Sequence, residues 1–223
     1  MDKMIVYEDD VLLVVHKPVG IATETARVGQ ADLVSELKNY RKKKGEETYI
    51  GVIHRLDQPV EGLLVFAKDG RTAKKLSDQL LRGTLTKKYA ALVAGVPETS
   101  EGELTDFLVR DGRNNLSRVV PKGTKNAKEA SLHWRIMQHN AAISLLEIEL
   151  YNGRHHQIRV QMAHAGYPLM GDFKYGSVSS KDLSRKAAVN STALLAYQIA
   201  LMHPVTGERM EFSLDFDKYT EIF

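Results

Sequence analysis

Cysteine is absent from the 223 residues. That one absence excludes disulfides, thiolate metal sites and a cysteine nucleophile. Long apolar runs are missing as well, since no stretch approaches the roughly 18 residues of a membrane span. The first ten residues carry acidic side chains at Asp2, Glu8, Asp9 and Asp10, not the basic and apolar regions of a signal peptide. A cytoplasmic protein is expected. There is no internal repeat, no linker rich in proline, glycine or serine, and no phosphate-cradling glycine loop. One domain over 1–223 is therefore the expectation.

What is present reads as a soluble globular chain, with 43% hydrophobic and 26% charged residues. A net charge of +3 does not by itself argue for a polyanionic partner, but its distribution does. Arg110, Arg113, Arg118, Lys122, Lys125 and Lys128 face a single acidic residue, Asp111, over that stretch, and Arg41-Lys42-Lys43-Lys44 forms a second basic run. Each run alone reads as a solvated loop. Two of them flanking the candidate catalytic segments raise the prospect of nucleic acid, because phosphate contacts need clustered lysine and arginine.

Periodicity predicts helices over 32–40, 71–81 and 154–165, and strands over 11–15, 49–56, 62–67, 89–93, 131–137, 143–150, 192–202 and 210–214. The polar stretches 97–128 and 177–191 read as loops, the first with a short hairpin. Strands outnumber helices and look antiparallel, so the expected class is α+β, a mixed and mostly antiparallel sheet with flanking helices.

Three segments could carry chemistry. In His54-Arg55-Leu56-Asp57, strand alternation would put Arg55 and Asp57 on one face at a strand end. A carboxylate beside an arginine stays ionised, which suits a nucleophile better than a general acid; a structural ion pair fits the same residues. In Gly153-Arg154-His155-His156-Gln157-Ile158-Arg159, a helix would align His155 with Arg159 and turn Ile158 to the core; an amphipathic surface helix fits equally. Zinc at His155, His156 and His164 is a weak reading, because no cysteine or glutamate completes a site. In Lys87-Lys88-Tyr89, an aromatic ring follows basic groups, as a base-stacking platform requires, though a lone strand tyrosine also fits a core.

Taken in order, these segments resemble the RluA-type pseudouridine synthases. So do Tyr7-Glu8-Asp9-Asp10, Lys17-Pro18-Val19-Gly20, Gly62-Leu63-Leu64-Val65-Phe66-Ala67-Lys68, Gly166-Tyr167-Pro168-Leu169-Met170-Gly171-Asp172 and His203-Pro204-Val205-Thr206-Gly207. The resemblance covers nearly the whole chain. It implies isomerisation of uridine to pseudouridine in ribosomal or transfer RNA, with base flipping and no cofactor or metal. It implies Asp57 as the catalytic aspartate, Tyr89 as the tyrosine against the base and candidate general base at C5, and Arg159 as the basic partner of the aspartate. Arg55 would help hold the extruded nucleotide, Ile158 would support the pocket wall, and His54, His156, Gln157 and Lys88 would belong to the substrate-binding set. Because the resemblance starts within ten residues of Met1, no S4-type domain is expected ahead of it, and RNA contact falls to the catalytic domain itself. A monomer without an obligate protein partner is expected. The run Gln58-Pro59-Val60-Glu61 departs from the family's usual basic or acidic residue followed by Thr-Ser, which bears on the choice of RNA. A non-catalytic RNA-binding protein on the same fold and an N-glycosidic hydrolase are the competing readings.

Overall fold

The computed structural model describes residues 2–25 and 29–223. After a 3-10 turn at Asp2–Met4, the elements run β1 (Ile5–Glu8), β2 (Leu12–Lys17), α1 (Leu33–Lys43), β3 (Gly51–Val52), β4 (Glu61–Ala67), α2 (Gly70–Arg82) and β5 (Thr86–Ala94). There follow β6 (Glu101–Asp111), β7 (Leu116–Val120), β8 (Lys128–His139), β9 (Ile143–Leu150), α3 (Gln157–His164), α4 (Val178–Lys186), β10 (Leu194–Met202), β11 (Arg209–Ser213) and α5 (Asp217–Thr220). The α+β expectation holds. Among the described residues no helix is long and apolar enough to cross a membrane.

The chain divides into two compact units, residues 1–87 with 196–215, and residues 88–195 with 216–223. In the first, β2 pairs antiparallel with β1 and with β4, and β11 pairs antiparallel with β10. The side chains of Leu12, Val14, Leu63, Val65, Leu76, Leu85, Ile199 and Leu201 fill its core. Each such side chain contributes about 1.5–3 kcal/mol when fully buried. Both unit helices are set by local chemistry. Asp32 caps α1 by accepting from the Ser35 amide, and Asp69 caps α2 by accepting from the Thr72 amide. Gly83 closes α2 in the left-handed conformation.

Gly62, at the start of β4, has a φ of 137°. A Cβ built there would lie 2.5 Å from the backbone nitrogen and oxygen of Ala196. Gly62→Ala is therefore expected to destabilise the protein by about 2 kcal/mol, seen as a lower denaturant midpoint at unchanged slope.

In the second unit, β5 pairs with β9, β9 with β8, β8 with β6 and β6 with β7, all antiparallel. Here the structure corrects the sequence reading twice. The segment 97–128 is not a loop with a short hairpin, because β6 runs through eleven of its residues and continues into β7. Its polar residues alternate outward, and Gly102 leaves room for the Trp134 indole, 2.9 Å from where a Cβ would stand. The segment 177–191 contains α4, capped by Ser177 and burying Ser180 and Ser184 in place of apolar residues. A serine-faced helix has no apolar stripe for periodicity to detect.

Candidate active site

In the first unit, Asp57 stands half-buried on an irregular segment, not at a strand end as its sequence predicts. The strand stops at Val52 because side chains take over its hydrogen bonds. The Thr23 hydroxyl exchanges bonds with both the amide and the carbonyl of Leu56, and the His54 Nε2 receives the Val65 amide. Arg55 also departs from the strand picture. Its side chain is 71% exposed and reaches Glu24 at 3.3 Å.

The backbone around Asp57 is tied on both sides. The Val60 amide donates to the Asp57 carbonyl at 3.0 Å, closing a turn through Gln58 and Pro59. Gly20 and Gln58 are joined twice, by the Gly20 amide to the Gln58 carbonyl and by the Gln58 side-chain amide to the Gly20 carbonyl. Beneath them lies Lys17, fully buried, whose ammonium donates to the carbonyls of Pro18, Ile21 and Gln58. Burial pushes its pKa down to about 8, while the charges of Asp57 and Glu61 work upward. The sequence shows Lys17 only as part of a motif. Its task rests on a contact 41 residues away, which no local pattern reveals.

Glu61, within the departing run, pairs with His16 at 2.9 Å. His54 is buried and held neutral. Burial drives its pKa well below the ordinary range, and the charge of Lys87 adds to this. Its Nδ1 has no hydrogen-bond partner among the described residues.

In the second unit, Tyr89 is 4% exposed in β5, opposite Ile148 of β9. Lys88 turns to the other side and meets Glu147 at 3.5 Å. The helix bearing Arg159 starts later than its sequence predicts, at Gln157. His156 adopts a left-handed conformation (φ 56°) and leaves His155 outside the helix. The expected alignment of His155 with Arg159 on one helix face is thereby corrected. His155 instead bonds Ser117 Oγ at 2.8 Å and Asn115 Oδ1 at 3.0 Å, and stacks on His156 at 3.7 Å.

Gln157 spends its amide on backbone, accepting from the Arg154 amide and donating to the Ser131 carbonyl. Gln161, fully buried, donates to Asp106 and to the Ala130 carbonyl. Ile158 and Val160 are buried, and Val160 packs with Leu108 and Ala130, fixing α3 on its sheet.

Arg159 is a buried cation held at two nitrogens. Its Nε and Nη2 donate to the two oxygens of Asp172 at 2.7 and 2.9 Å, a bidentate pair. Burial works to raise the Asp172 pKa. The bonds and charge of Arg159, with the amides of Lys174 and Tyr175, outweigh it and hold the carboxyl below its ordinary value. The basic stretch from Arg110 to Lys128 runs from the end of β6 through β7 and the following turn to the first residue of β8, with all six cations exposed.

A model of the RNA pseudouridylate synthase family matches residues 11–164, a span containing Asp57, Tyr89 and Arg159. An uncharacterized RNA pseudouridine synthase of Bacillus subtilis is 37% identical over 207 residues, covering 92% of this chain and 65% of that protein. Ribosomal large subunit pseudouridine synthase C of Buchnera aphidicola is 32% identical over 216 residues, covering 96% and 68%. Ribosomal large subunit pseudouridine synthase D of Vibrio cholerae is 33% identical over 217 residues, covering 93% and 65%. The chain thus spans about two thirds of the length of these curated relatives. Among solved structures, human RNA Pseudouridylate Synthase Domain Containing 4 aligns with a TM-score of 0.79 at 23% identity, covering 99% of this chain and 91% of that one. That likeness shows the fold.

Proposed function

We propose that this chain, which belongs to the RNA pseudouridylate synthase family, isomerises a uridine of structured RNA to pseudouridine without a cofactor. Two relatives are named for the ribosomal large subunit, which puts ribosomal RNA first among candidate substrates and transfer RNA second. The observation that carries the reading is Asp57 itself, a half-buried carboxylate on a backbone laced from both sides. A nucleophile so held loses little freedom on meeting its substrate.

In this reading the uridine leaves its stack, at a cost of about a few kcal/mol. The N1–C1′ bond breaks with Asp57 as the carboxylate acting on the sugar, either by bonding C1′ or by taking a proton from C2′. The uracil turns and C5 bonds to C1′ as the Asp57–C1′ bond breaks or the C2′ proton returns; Tyr89 takes the proton that C5 gives up, and N1 gains one. Nothing is oxidised or reduced, and the composition of the nucleotide is unchanged overall, the proton lost from C5 being matched by one gained at N1. Arg159 serves the reaction as the basic partner that the family resemblance assigns to the aspartate. Arg55 holds the vacated stack, and Ile158 lines the pocket wall. The exposed cations Arg110, Arg113, Arg118, Lys122, Lys125 and Lys128 supply phosphate contacts that offset extrusion.

The test uses the full chain with ribosomal and transfer RNA carrying uracil-labelled uridine, followed by nucleoside analysis. Label appearing as pseudouridine, with no free uracil, supports the reading. Release of free uracil would identify an N-glycosidic hydrolase. Binding without any change of the nucleosides would identify an RNA-binding protein.

A further inference from the structure

We propose that Asp172 and Tyr175 are positioning residues for Arg159, a two-sided clamp that fixes the guanidinium for catalysis. This rests on the reading that Arg159 serves the reaction. Arg159 is 4% exposed. An arginine so buried costs several kcal/mol unless it is paired with good geometry.

Asp172 supplies the in-plane half of the clamp. It occupies Nε and Nη2, so the guanidinium cannot rotate about its own plane without breaking a bond. The carboxylate is itself pinned. Its Oδ1 accepts the amides of Lys174 at 3.0 Å and Tyr175 at 3.2 Å, while its carbonyl accepts the Gly176 amide at 2.8 Å.

Tyr175 supplies the other half. The guanidinium carbon lies 5.2 Å from its ring centroid, within cation–π range. The ring is anchored at its far end, where the hydroxyl accepts the Ser117 amide at 2.8 Å and pairs with His156 Nδ1 at 2.6 Å. Ser117 lies on β7, within the basic stretch, and His156 opens the helix that carries Arg159. One phenol therefore joins the strand, the helix start and the guanidinium. Asp172 leaves the Nη1 side of the fork to other acceptors, and the clamp sets the direction in which that side points.

Stability alone gives a weak reason for such a clamp, because a buried ion pair seldom outperforms well-packed apolar side chains of the same volume. A cation held for chemistry gives a strong one. Groups that orient metal ligands from behind account for about 10–100-fold in affinity or activity, and the same scale is taken for a group that orients a catalytic cation.

The experiment measures single-turnover pseudouridine formation and RNA affinity for Asp172→Asn, Tyr175→Phe, Arg159→Lys, Arg159→Ala and the double variant Asp172→Asn/Arg159→Lys, with thermal melts of each. Asp172→Asn is expected to slow turnover about 10–100-fold and Tyr175→Phe about 3–10-fold, with RNA affinity near the wild-type value. In the Arg159→Lys background the fork is already gone. Asp172→Asn is then expected to slow the reaction further by less than about 3-fold, a non-additivity that a merely structural aspartate would not show. Losses that multiply in the double variant overturn the proposal. So does a wild-type rate in a folded Asp172→Asn. If Asp172→Asn does not fold, Tyr175→Phe decides, since it keeps the ring and removes only the hydroxyl; an unchanged rate there overturns the clamp. Full activity of Arg159→Ala would instead overturn the underlying role of Arg159, which separates the two failures.

Discussion

Replacing Asp57 by asparagine is expected to lower pseudouridine formation by about 10⁴-fold or more, the scale seen when a nucleophile is removed from a preorganised site. Asparagine has the shape of aspartate but neither its charge nor its nucleophilicity. The surrounding backbone should survive the change. The turn to Val60 uses the Asp57 carbonyl, and the bonds between Gly20 and Gln58 use neighbouring groups. Neither depends on the Asp57 carboxylate. RNA affinity should therefore stay within about threefold, because phosphate contacts dominate binding, and the loss should appear in the turnover rate. Lys17 gives a second readout. The charge of Asp57 raises its pKa against the effect of burial, so the neutral variant should carry a Lys17 pKa below the wild-type value of about 8. Activity measured against RNA with mapped pseudouridines, with affinity measured in parallel, checks the claim. Retained turnover in a folded Asp57→Asn would remove Asp57 from the chemistry.

How far such a site is legible in sequence depends on how local its causes are. Helix α2 is readable because everything that defines it lies within fifteen residues: Asp69 caps it, Leu76 is buried on its inner face, and Gly83 ends it. Strand β6 is not readable, because its outward Glu101, Glu103 and Thr105 look like loop until β8 pairs with it residue for residue. The segment from Ile53 to Asp57 misleads in the opposite sense. Its apolar residues suit a strand, yet Thr23 and the His54 ring provide the bonds that a neighbouring strand would otherwise supply. The same division runs through the candidate site. Asp57, Tyr89 and Arg159 stand out in sequence through the ordered motifs around them. Lys17 and Asp172 also lie within such motifs, but what they and Tyr175 hold is visible only in three dimensions, since Tyr175 meets Ser117 across 58 residues and Lys17 meets Gln58 across 41. Residues that react tend to be marked by their type, whereas those that hold them are marked by where the chain brings them.

Lys87→Met is expected to stabilise the protein by about 3 kcal/mol at pH 7. Lys87 is 7% exposed, and among the described residues no hydrogen bond or ion pair holds its ammonium. Burial lowers its pKa from 10.5 to about 8, and that difference of about 2.5 converts to about 3 kcal/mol at 1.36 kcal/mol per unit. The sign follows from proton uptake. Between pH 8 and 10.5 the unfolded chain holds the lysine proton and the folded chain does not, so stability rises with pH across that window. Below pH 8 the full cost of burying the charge is present. Methionine fills a similar volume without that charge, so the advantage of the variant should be greatest below pH 8 and should vanish near pH 10.5. Lys17, with its pKa also near 8, adds an upward slope that the variant keeps. A further consequence falls on His54. The charge of Lys87 contributes to its low pKa, so the substitution should raise that value, with burial still keeping the ring neutral. Denaturant unfolding of wild type and variant from pH 7 to 10.5 checks the stability, and histidine NMR titration checks His54. A variant less stable than wild type at pH 7 would show that the Lys87 ammonium gains more from its surroundings than its burial costs.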